Sequence, residues 1–277
     1  MKKLKNKIQE KDGVKIISTE LVEDNVTRIA ILLPHTYPNY TSDFFLSFTG
    51  VLSHTYYWNY ANGRNYAFDI VTPPKNLAGI GDIRNGLAEI ALRTGADYMM
   101  WMDSDQTYPP DTIVKMLRHF ESADSGNKDL EGLEAVGGLI TYKSPPYLPH
   151  LYIKKHKTKP TYHLASNYVL NQLFKVEGVG FGCVMIKSKV FDRVKKPYFE
   201  FTVDDNGKMV SGEDLGFCIK ADMSIIIDPT IVIGHQKLVS YDINDFIKYN
   251  GLEVKDGVVV ADKEKISAIY DEHTKIE

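Results

Sequence analysis

The chain has 277 residues, of which 43% are hydrophobic and 25% charged, with a formal net charge of −3 and a pI near 6.3. These values are typical of a globular protein that buries its own core, and they exclude a globally basic surface for nucleic acid. Two cysteines, Cys183 and Cys218, are too few for a disulfide framework, so we expect free thiols in a reducing compartment.

The N-terminal residues are basic and polar, and no apolar segment follows them, so they do not resemble a signal peptide. The apolar runs are far shorter than the roughly 20 residues of a membrane-spanning helix. We therefore expect a soluble, cytoplasmic protein without a membrane span. We divide it into a lead-in (1–26) with one strand at 14–18, a main domain (27–240) and a C-terminal extension (241–277).

The pattern of apolar residues predicts the elements of the main domain. Short apolar runs predict strands buried on both faces of a parallel sheet, at 28–33, 66–71, 97–102, 135–141, 174–179, 182–186 and 225–227. Apolar residues at helical spacing predict helices at 42–57 with Ser42 as the cap, and at 82–94, 109–120, 188–194 and 214–221. Residues 143–160, rich in Pro, Lys and Tyr, predict an irregular segment. The alternation of strands and helices predicts an α/β fold whose mainly parallel central sheet is flanked by helices.

The strongest chemical motif is Asp103-Ser104-Asp105, which directly follows the apolar strand predicted at 97–102. In open α/β sheets, ligands bind just beyond the carboxyl ends of the strands. Two carboxylates separated by one residue can hold a hard divalent cation, which can neutralise a diphosphate. The alternative interpretation is a solvated acidic turn that only ends the strand.

A second group of polar residues lies further along the chain. Gly212-Glu213-Asp214 opens a predicted helix, where acidic residues are ordinary but where a carboxylate can also accept a proton from an attacking hydroxyl. His235 follows the apolar run at 231–233, so we expect it at a strand end. A neutral imidazole there can be a further metal ligand, although single histidines are commonly structural.

In this order the motifs resemble those of glycosyltransferases of the GT-A fold, in particular family 2-like enzymes, over about residues 27–236. The matching stretches are 33–34, 84–88, 95–98, 103–105, 178–182, 212–214 and 234–235. The chain departs from the family at 72–75, where no acidic residue stands ready to contact the base. The identity of the nucleotide base therefore stays open.

The resemblance implies a hexosyltransferase-type enzyme that moves a sugar from a UDP- or GDP-sugar to a hydroxyl acceptor with Mn²⁺ or Mg²⁺. It implies metal ligation by Asp103, Asp105 and His235, and nucleotide-sugar binding by Pro34, His35, Thr36, Arg84, Asp103 and Ser104. For Arg84 it implies contact with the base or a phosphate. If the enzyme inverts the anomeric centre, Asp214 is the general base and Glu213 binds the acceptor. If it retains configuration, Asp214 contacts the sugar or the acceptor.

Two other classes of function remain open. A nucleotidyltransferase, or another metal-dependent nucleotide-sugar enzyme, also uses paired carboxylates, but a basic glycine-rich loop would favour it and the stretch at 33–36 lacks one. A binding module without turnover is disfavoured by the intact acidic motifs. The acceptor can be a glycan, a lipid, a protein or a modified nucleic-acid base. The aromatic stretch at 44–60 is either a platform for that acceptor or part of the core.

Overall fold

The computed structural model describes residues 5–11, 14–20, 26–35, 40–73, 79–143, 147–156, 159–164, 171–203, 206–207, 209–236, 253–255 and 258–260. The chain divides into two compact units, Met1–Gln236 and Lys237–Glu277. The domain boundaries given above stay predictions. Among the described residues, no helix combines the length and the apolar character needed to cross a membrane.

The described strands are β1 (Lys5–Lys11), β2 (Val14–Glu20), β3 (Thr27–Leu32), β4 (Tyr66–Val71), β5 (Tyr98–Met102), β6 (Gln106–Thr107), β7 (Ala135–Leu139), β8 (Leu151–His156), β9 (Lys159–Leu164), β10 (Phe174–Val176), β11 (Gly178–Val179), β12 (Cys183–Lys187), β13 (Thr202–Val203), β14 (Met209–Ser211), β15 (Ile225–Val232), β16 (Gly234–His235), β17 (Glu253–Lys255) and β18 (Val258–Val260). The α-helices are α1 (Ser42–Ala61), α2 (Ile80–Arg93), α3 (Thr112–Asp124) and α4 (Glu213–Ala221), and 3₁₀ turns lie at Lys128–Leu130 and Ser188–Arg193.

Seven strands form the central sheet in the order β10-β15-β7-β12-β5-β3-β4. β3, β4, β5, β7 and β15 run in one direction, whereas β10 and β12 pair antiparallel with their neighbours. The sheet is therefore mainly parallel, and the predicted α/β class is confirmed.

Helices cover both faces of this sheet, and side chains alternate between the two cores, as the pleat of a strand requires. Along β3, Ile29 and Ile31 pack in the core that contains buried residues of α1 and α3. Ala30 and Leu32 pack in the core that contains buried residues of α2 and α4. In β5, the side chains from Met99 to Met102 are completely buried. Burial of each large apolar side chain contributes about 1.5–3 kcal/mol, so β5 is a firm support for the residues that follow it.

The structure corrects several local predictions. The strand predicted at 174–179 is divided between β10 in the central sheet and β11 in another sheet, and the helix predicted at 188–194 is the 3₁₀ turn Ser188–Arg193. The segment predicted as irregular at 143–160 contains β8 and the start of β9, which form a three-stranded sheet with β11. Local composition missed β8 because long-range pairing stabilises it, with Tyr152 opposite Gly178. The lead-in holds β1 in addition to the expected strand, which is β2. The cap of α1 is Thr41, not Ser42, since the Thr41 hydroxyl accepts a hydrogen bond from the Phe44 amide at 3.1 Å.

Both cysteines are buried and free, as predicted. Burial raises the pKa of the Cys183 thiol far above its ordinary value and that of Cys218 to about 12. Neither thiol therefore has the thiolate character of a nucleophile or a metal ligand.

Candidate functional site

A cleft of about 310 Å³ opens beyond the carboxyl ends of β3 and β5. Nine of the ten residues singled out in the sequence line it: Pro34, His35, Arg84, Asp103, Ser104, Asp105, Glu213, Asp214 and His235. Thr36 lies outside the described residues. The fold thus brings motifs from distant parts of the chain to the edge of the sheet where ligands bind in α/β proteins.

The Asp103–Asp105 turn is anchored to the neighbouring strand β12. The Asp103 amide donates to the Gly182 carbonyl at 3.0 Å, and the buried Tyr108 hydroxyl lies 2.7 Å from the Asp103 carbonyl oxygen. Gly182 is required here, because a Cβ at this position would stand only 2.0 Å from the amide nitrogen of the buried Gln106 side chain. The carboxylates therefore project from a turn held by backbone contacts on both sides.

Arg84, on α2, joins the two acidic motifs. Its Nη2 donates to both carboxylate oxygens of Asp103 at 3.1 and 3.3 Å, its Nε donates to Glu213 at 3.2 Å, and its Nη1 donates to the Phe181 carbonyl at 3.3 Å. Burial opposes the charged guanidinium, but Asp103, Glu213 and Asp214 outweigh it and raise the pKa of Arg84. Arg84 is thus a buried cation that fixes the relative positions of the two motifs. Its predicted contact with the base or a phosphate stays a prediction.

The electrostatics of Asp103 reflect this arrangement. Burial raises its pKa above the ordinary value, Arg84 acts in the opposite direction, and the negative charges of Asp105 and Glu213 raise it further. A cavity that gathers this many carboxylates against a single buried arginine favours the binding of additional positive charge.

A pair of two-residue antiparallel strands, β6 and β16, brings His235 beside Asp105. In the antiparallel pair β6–β16, His235 stands opposite Gln106 and Gly234 opposite Thr107. The pairing needs glycine at 234, because a Cβ there would lie 2.3 Å from the Thr107 hydroxyl oxygen. As a result, Nε2 of His235 lies 3.8 Å from Oδ1 of Asp105.

The orientation of the His235 ring is determined by its other nitrogen. Nδ1 lies 2.5 Å from the carbonyl oxygen of Thr141. A carbonyl oxygen only accepts, so Nδ1 carries the proton, and in the neutral imidazole Nε2 presents its lone pair towards Asp105. A backbone carbonyl that fixes the tautomer in this way is the usual support of a metal-binding histidine.

These residues fit a divalent cation that is shared with a substrate. Among the described residues, no group of three or more His, Cys, Asp or Glu side chains is arranged to enclose a metal ion unaided. Mg²⁺-like ions, however, are commonly held by one or two carboxylates together with substrate phosphates and water. Adjacent ligands bonded at about 2.1 Å to one octahedral ion lie roughly 3 Å apart, so Nε2 of His235 and Oδ1 of Asp105, now 3.8 Å apart, would move closer together on binding.

Asp214 also lines the cleft, in the first turn of α4. Burial and the adjacent Glu213 raise its pKa to about 6, although Arg84 and a hydrogen bond from the Leu215 amide act in the opposite direction. The pKa of a catalytic base works best near the operating pH. Asp214 is therefore better suited to proton transfer than an ordinary surface aspartate.

Two residues were missed at the level of sequence: Lys143, which contacts Asp105, and His150, which lines the cleft. The Lys143 ammonium pairs with Oδ2 of Asp105. The His150 ring lines the cleft, its centroid 6.3 Å from that of His235, and its buried Nε2 has no hydrogen-bond partner among the described residues. Burial lowers the pKa of His150 to about 4, so the ring is neutral at pH 7. Both residues lie in the segment predicted as irregular, and neither belongs to a recognisable motif. The one sequence feature that could have pointed to the site is His150 itself, which stands between Pro149 and β8.

The aromatic stretch at 44–60 divides between the two predicted roles. Phe44, Phe48 and Trp58 are buried, which confirms core packing for these three. Tyr57 and Tyr60 are among several exposed large side chains of α1, at 71% and 87% exposure. The acceptor platform stays a prediction for these exposed residues.

No family model matches the chain, and no curated protein matches it. Solved structures with a similar arrangement include A197 from STIV, at 15% identity and a TM-score of 0.42, covering 78% of this chain and 98% of that one. The catalytic domain of Drosophila β1,4-galactosyltransferase 7 in complex with xylobiose has 11% identity and a TM-score of 0.39, covering 80% and 78%. S. aureus TarS 1–349 in complex with UDP-GlcNAc has 11% identity and a TM-score of 0.42, covering 78% and 60%. Structural similarity this low does not indicate an activity for the chain.

Proposed function

We propose that this chain is a metal-dependent glycosyltransferase of the GT-A type that uses a nucleotide-diphosphate sugar. The observation that carries the proposal is the pairing of Asp105 with His235. Nδ1 of His235 donates its hydrogen bond to the Thr141 carbonyl, and Nε2 lies 3.8 Å from Oδ1 of Asp105 in the wall of the cleft. The carboxylate suits Mn²⁺ or Mg²⁺, and the added imidazole favours Mn²⁺ of the two, because Mn²⁺ is the transition metal and Mg²⁺ prefers oxygen ligands.

Asp105 and His235 would hold the cation, with Asp103 on the metal or the ribose. When bound, the cation offsets the negative charge that develops on the departing diphosphate. Arg84 fixes the positions of Asp103 and Glu213 relative to each other, because one guanidinium contacts both carboxylates. Pro34, His35 and Ser104 lie in the cleft wall, where a nucleotide sugar would sit.

Asp214 is the candidate general base for an inverting reaction. The acceptor hydroxyl oxygen would form a bond to the anomeric carbon as the bond from that carbon to the diphosphate oxygen breaks. The nucleoside diphosphate leaves with the electron pair, and the hydroxyl proton passes to Asp214. A pKa of about 6 leaves this carboxylate ionised at neutral pH and ready to accept the proton. If the enzyme retains configuration, Asp214 would instead contact the sugar or the acceptor.

The test is a screen of UDP- and GDP-sugars for Mn²⁺-dependent release of nucleoside diphosphate, with and without candidate acceptors. We expect release by the wild-type chain and by Asp129→Ala, which alters an exposed carboxylate outside the cleft. Asp105→Ala should abolish it. Pyrophosphate released from a nucleoside triphosphate and a sugar phosphate would instead indicate a nucleotidyltransferase. Binding without any turnover would indicate a binding module.

A further inference from the structure

A segment described at 140–143 and 147–150 borders the cleft, which His150 lines. Its backbone closes on itself, since the Tyr142 amide donates to Leu148 and the His150 amide donates to Ile140, both at 2.9 Å. The segment contributes the Thr141 carbonyl that orients His235 and the Lys143 ammonium that pairs with Asp105. It therefore contacts both candidate metal ligands.

Lys143 contacts the carboxylate oxygen that His235 does not face. The ammonium pairs with Oδ2 of Asp105, while Oδ1 faces Nε2 of His235. The side chains of Lys143 and Asp105 are 36% and 38% exposed, so this ion pair is partly open to solvent. A lysine carries a compact charge on a flexible four-carbon stem, so it can change partner with little disturbance to the backbone.

We propose that Lys143 and a divalent cation exclude each other at Asp105, and that Lys143 turns to the diphosphate of the nucleotide once the cation is bound. This inference rests on the proposed function. An ammonium and a divalent cation on one small carboxylate repel each other, because only a few ångströms would separate them. The diphosphate would bring new negative charge to the same place, and it offers the displaced ammonium a charge-assisted hydrogen bond.

If Lys143 moves from Asp105 to the diphosphate in this way, removal of its ammonium should change the affinity for Mn²⁺ and the affinity for the nucleoside diphosphate in opposite directions. Lys143→Gln should bind Mn²⁺ alone about two- to fivefold more tightly than the wild type, since a solvent-exposed ion pair contributes little. At saturating Mn²⁺, the same variant should bind UDP or GDP roughly tenfold more weakly, because one charge-assisted contact to phosphate is lost. An ion pair that only supports the loop would not produce opposite changes.

The experiment is a pair of titrations on the full chain. Binding of MnCl₂ alone is followed by the electron paramagnetic resonance signal of free Mn²⁺, and binding of UDP and GDP at saturating MnCl₂ is followed by calorimetry. Lys196→Gln is the matched control, since Lys196 is 61% exposed and pairs with Glu89 away from the cleft. Lys143→Arg keeps the positive charge and should behave nearly as the wild type in both titrations.

The outcomes separate this inference from the function on which it rests. If the wild-type chain takes up neither Mn²⁺ nor a nucleoside diphosphate, the proposed function fails and the exchange fails with it. If the wild type binds the nucleotide with Mn²⁺ but Lys143→Gln matches Lys196→Gln in both titrations, only the exchange is overturned. Weakening of both affinities in a folded Lys143→Gln variant, or no uptake of Mn²⁺ alone by that variant, also overturns it.

Discussion

Replacement of Asp214 by asparagine should make the protein more stable and the enzyme much slower. Burial raises the pKa of Asp214 from its ordinary 3.8 to about 6, so the ionised form destabilises the native state at neutral pH. A difference of about two pKa units corresponds to roughly 3 kcal/mol. The side chain is partly exposed, so we expect about 1–3 kcal/mol of added free energy of unfolding in Asp214→Asn at pH 7.

The difference in stability between the wild type and Asp214→Asn should also depend on pH. A carboxyl whose native pKa is raised stabilises the native state at low pH, and this contribution is lost as the pH rises through about 6. The stability gained in Asp214→Asn should therefore be small near pH 4 and full above pH 7. Urea unfolding of the wild type and the variant at a series of pH values measures this difference.

Catalysis should change in the opposite direction. Loss of a general base typically costs about 10²–10⁴-fold in rate, and nucleotide affinity should stay within a few-fold of the wild type. Transfer by the wild type should itself decline below about pH 6, as Asp214 becomes protonated. The reasoning is refuted if Asp214→Asn loses a little stability and keeps wild-type transfer, because that is the behaviour of an acidic helix cap.

Three further substitutions test other parts of the site. Asp105→Ala should remove the Mn²⁺ dependence of nucleoside diphosphate binding in calorimetry, and unchanged metal-linked binding would rule out its role as a ligand. Arg84→Met leaves Asp103 and Glu213 without their buried cation, so the free energy of unfolding, measured by urea denaturation, should fall by about 3 kcal/mol. A loss below about 1 kcal/mol would show that the two ion pairs of Arg84 do not hold the acidic motifs together. His150→Phe removes a buried nitrogen that has no partner among the described residues, so stability should be unchanged or higher by up to about 1 kcal/mol, while affinity for the nucleotide sugar or the acceptor falls. Unchanged KM values for both would exclude a substrate contact.

Much of the central sheet and its helices could be predicted because local patterns determine them. β4 has the predicted bounds, and β5 differs by one residue, because both are apolar runs between clear turn signals. The carboxylate turn could be located for the same reason, since it directly follows β5.

The parts that could not be predicted depend on contacts between distant residues. The sequence motif suggested His235 as a ligand, but its support by Thr141 and its pairing through β16 and β6 appear only in three dimensions. His150 lines the cleft directly before β8, and the composition of the segment gives no sign of the pairing of β8 with β11. The contact of Lys143 with Asp105 also appears only in three dimensions. Buried arginine is rare without partners, yet the contact of Arg84 with both acidic motifs also required the fold.

The most direct test of the proposed function is a crystal structure with MnCl₂ and UDP or GDP, recorded at a wavelength that gives an anomalous signal from manganese. The proposal predicts one strong anomalous peak bonded to Asp105 and to Nε2 of His235, with diphosphate oxygens completing the coordination. Nδ1 of His235 should still donate to the Thr141 carbonyl. A cleft that holds nucleotide but no manganese, or a manganese ion from which His235 is turned away, would contradict the proposed site.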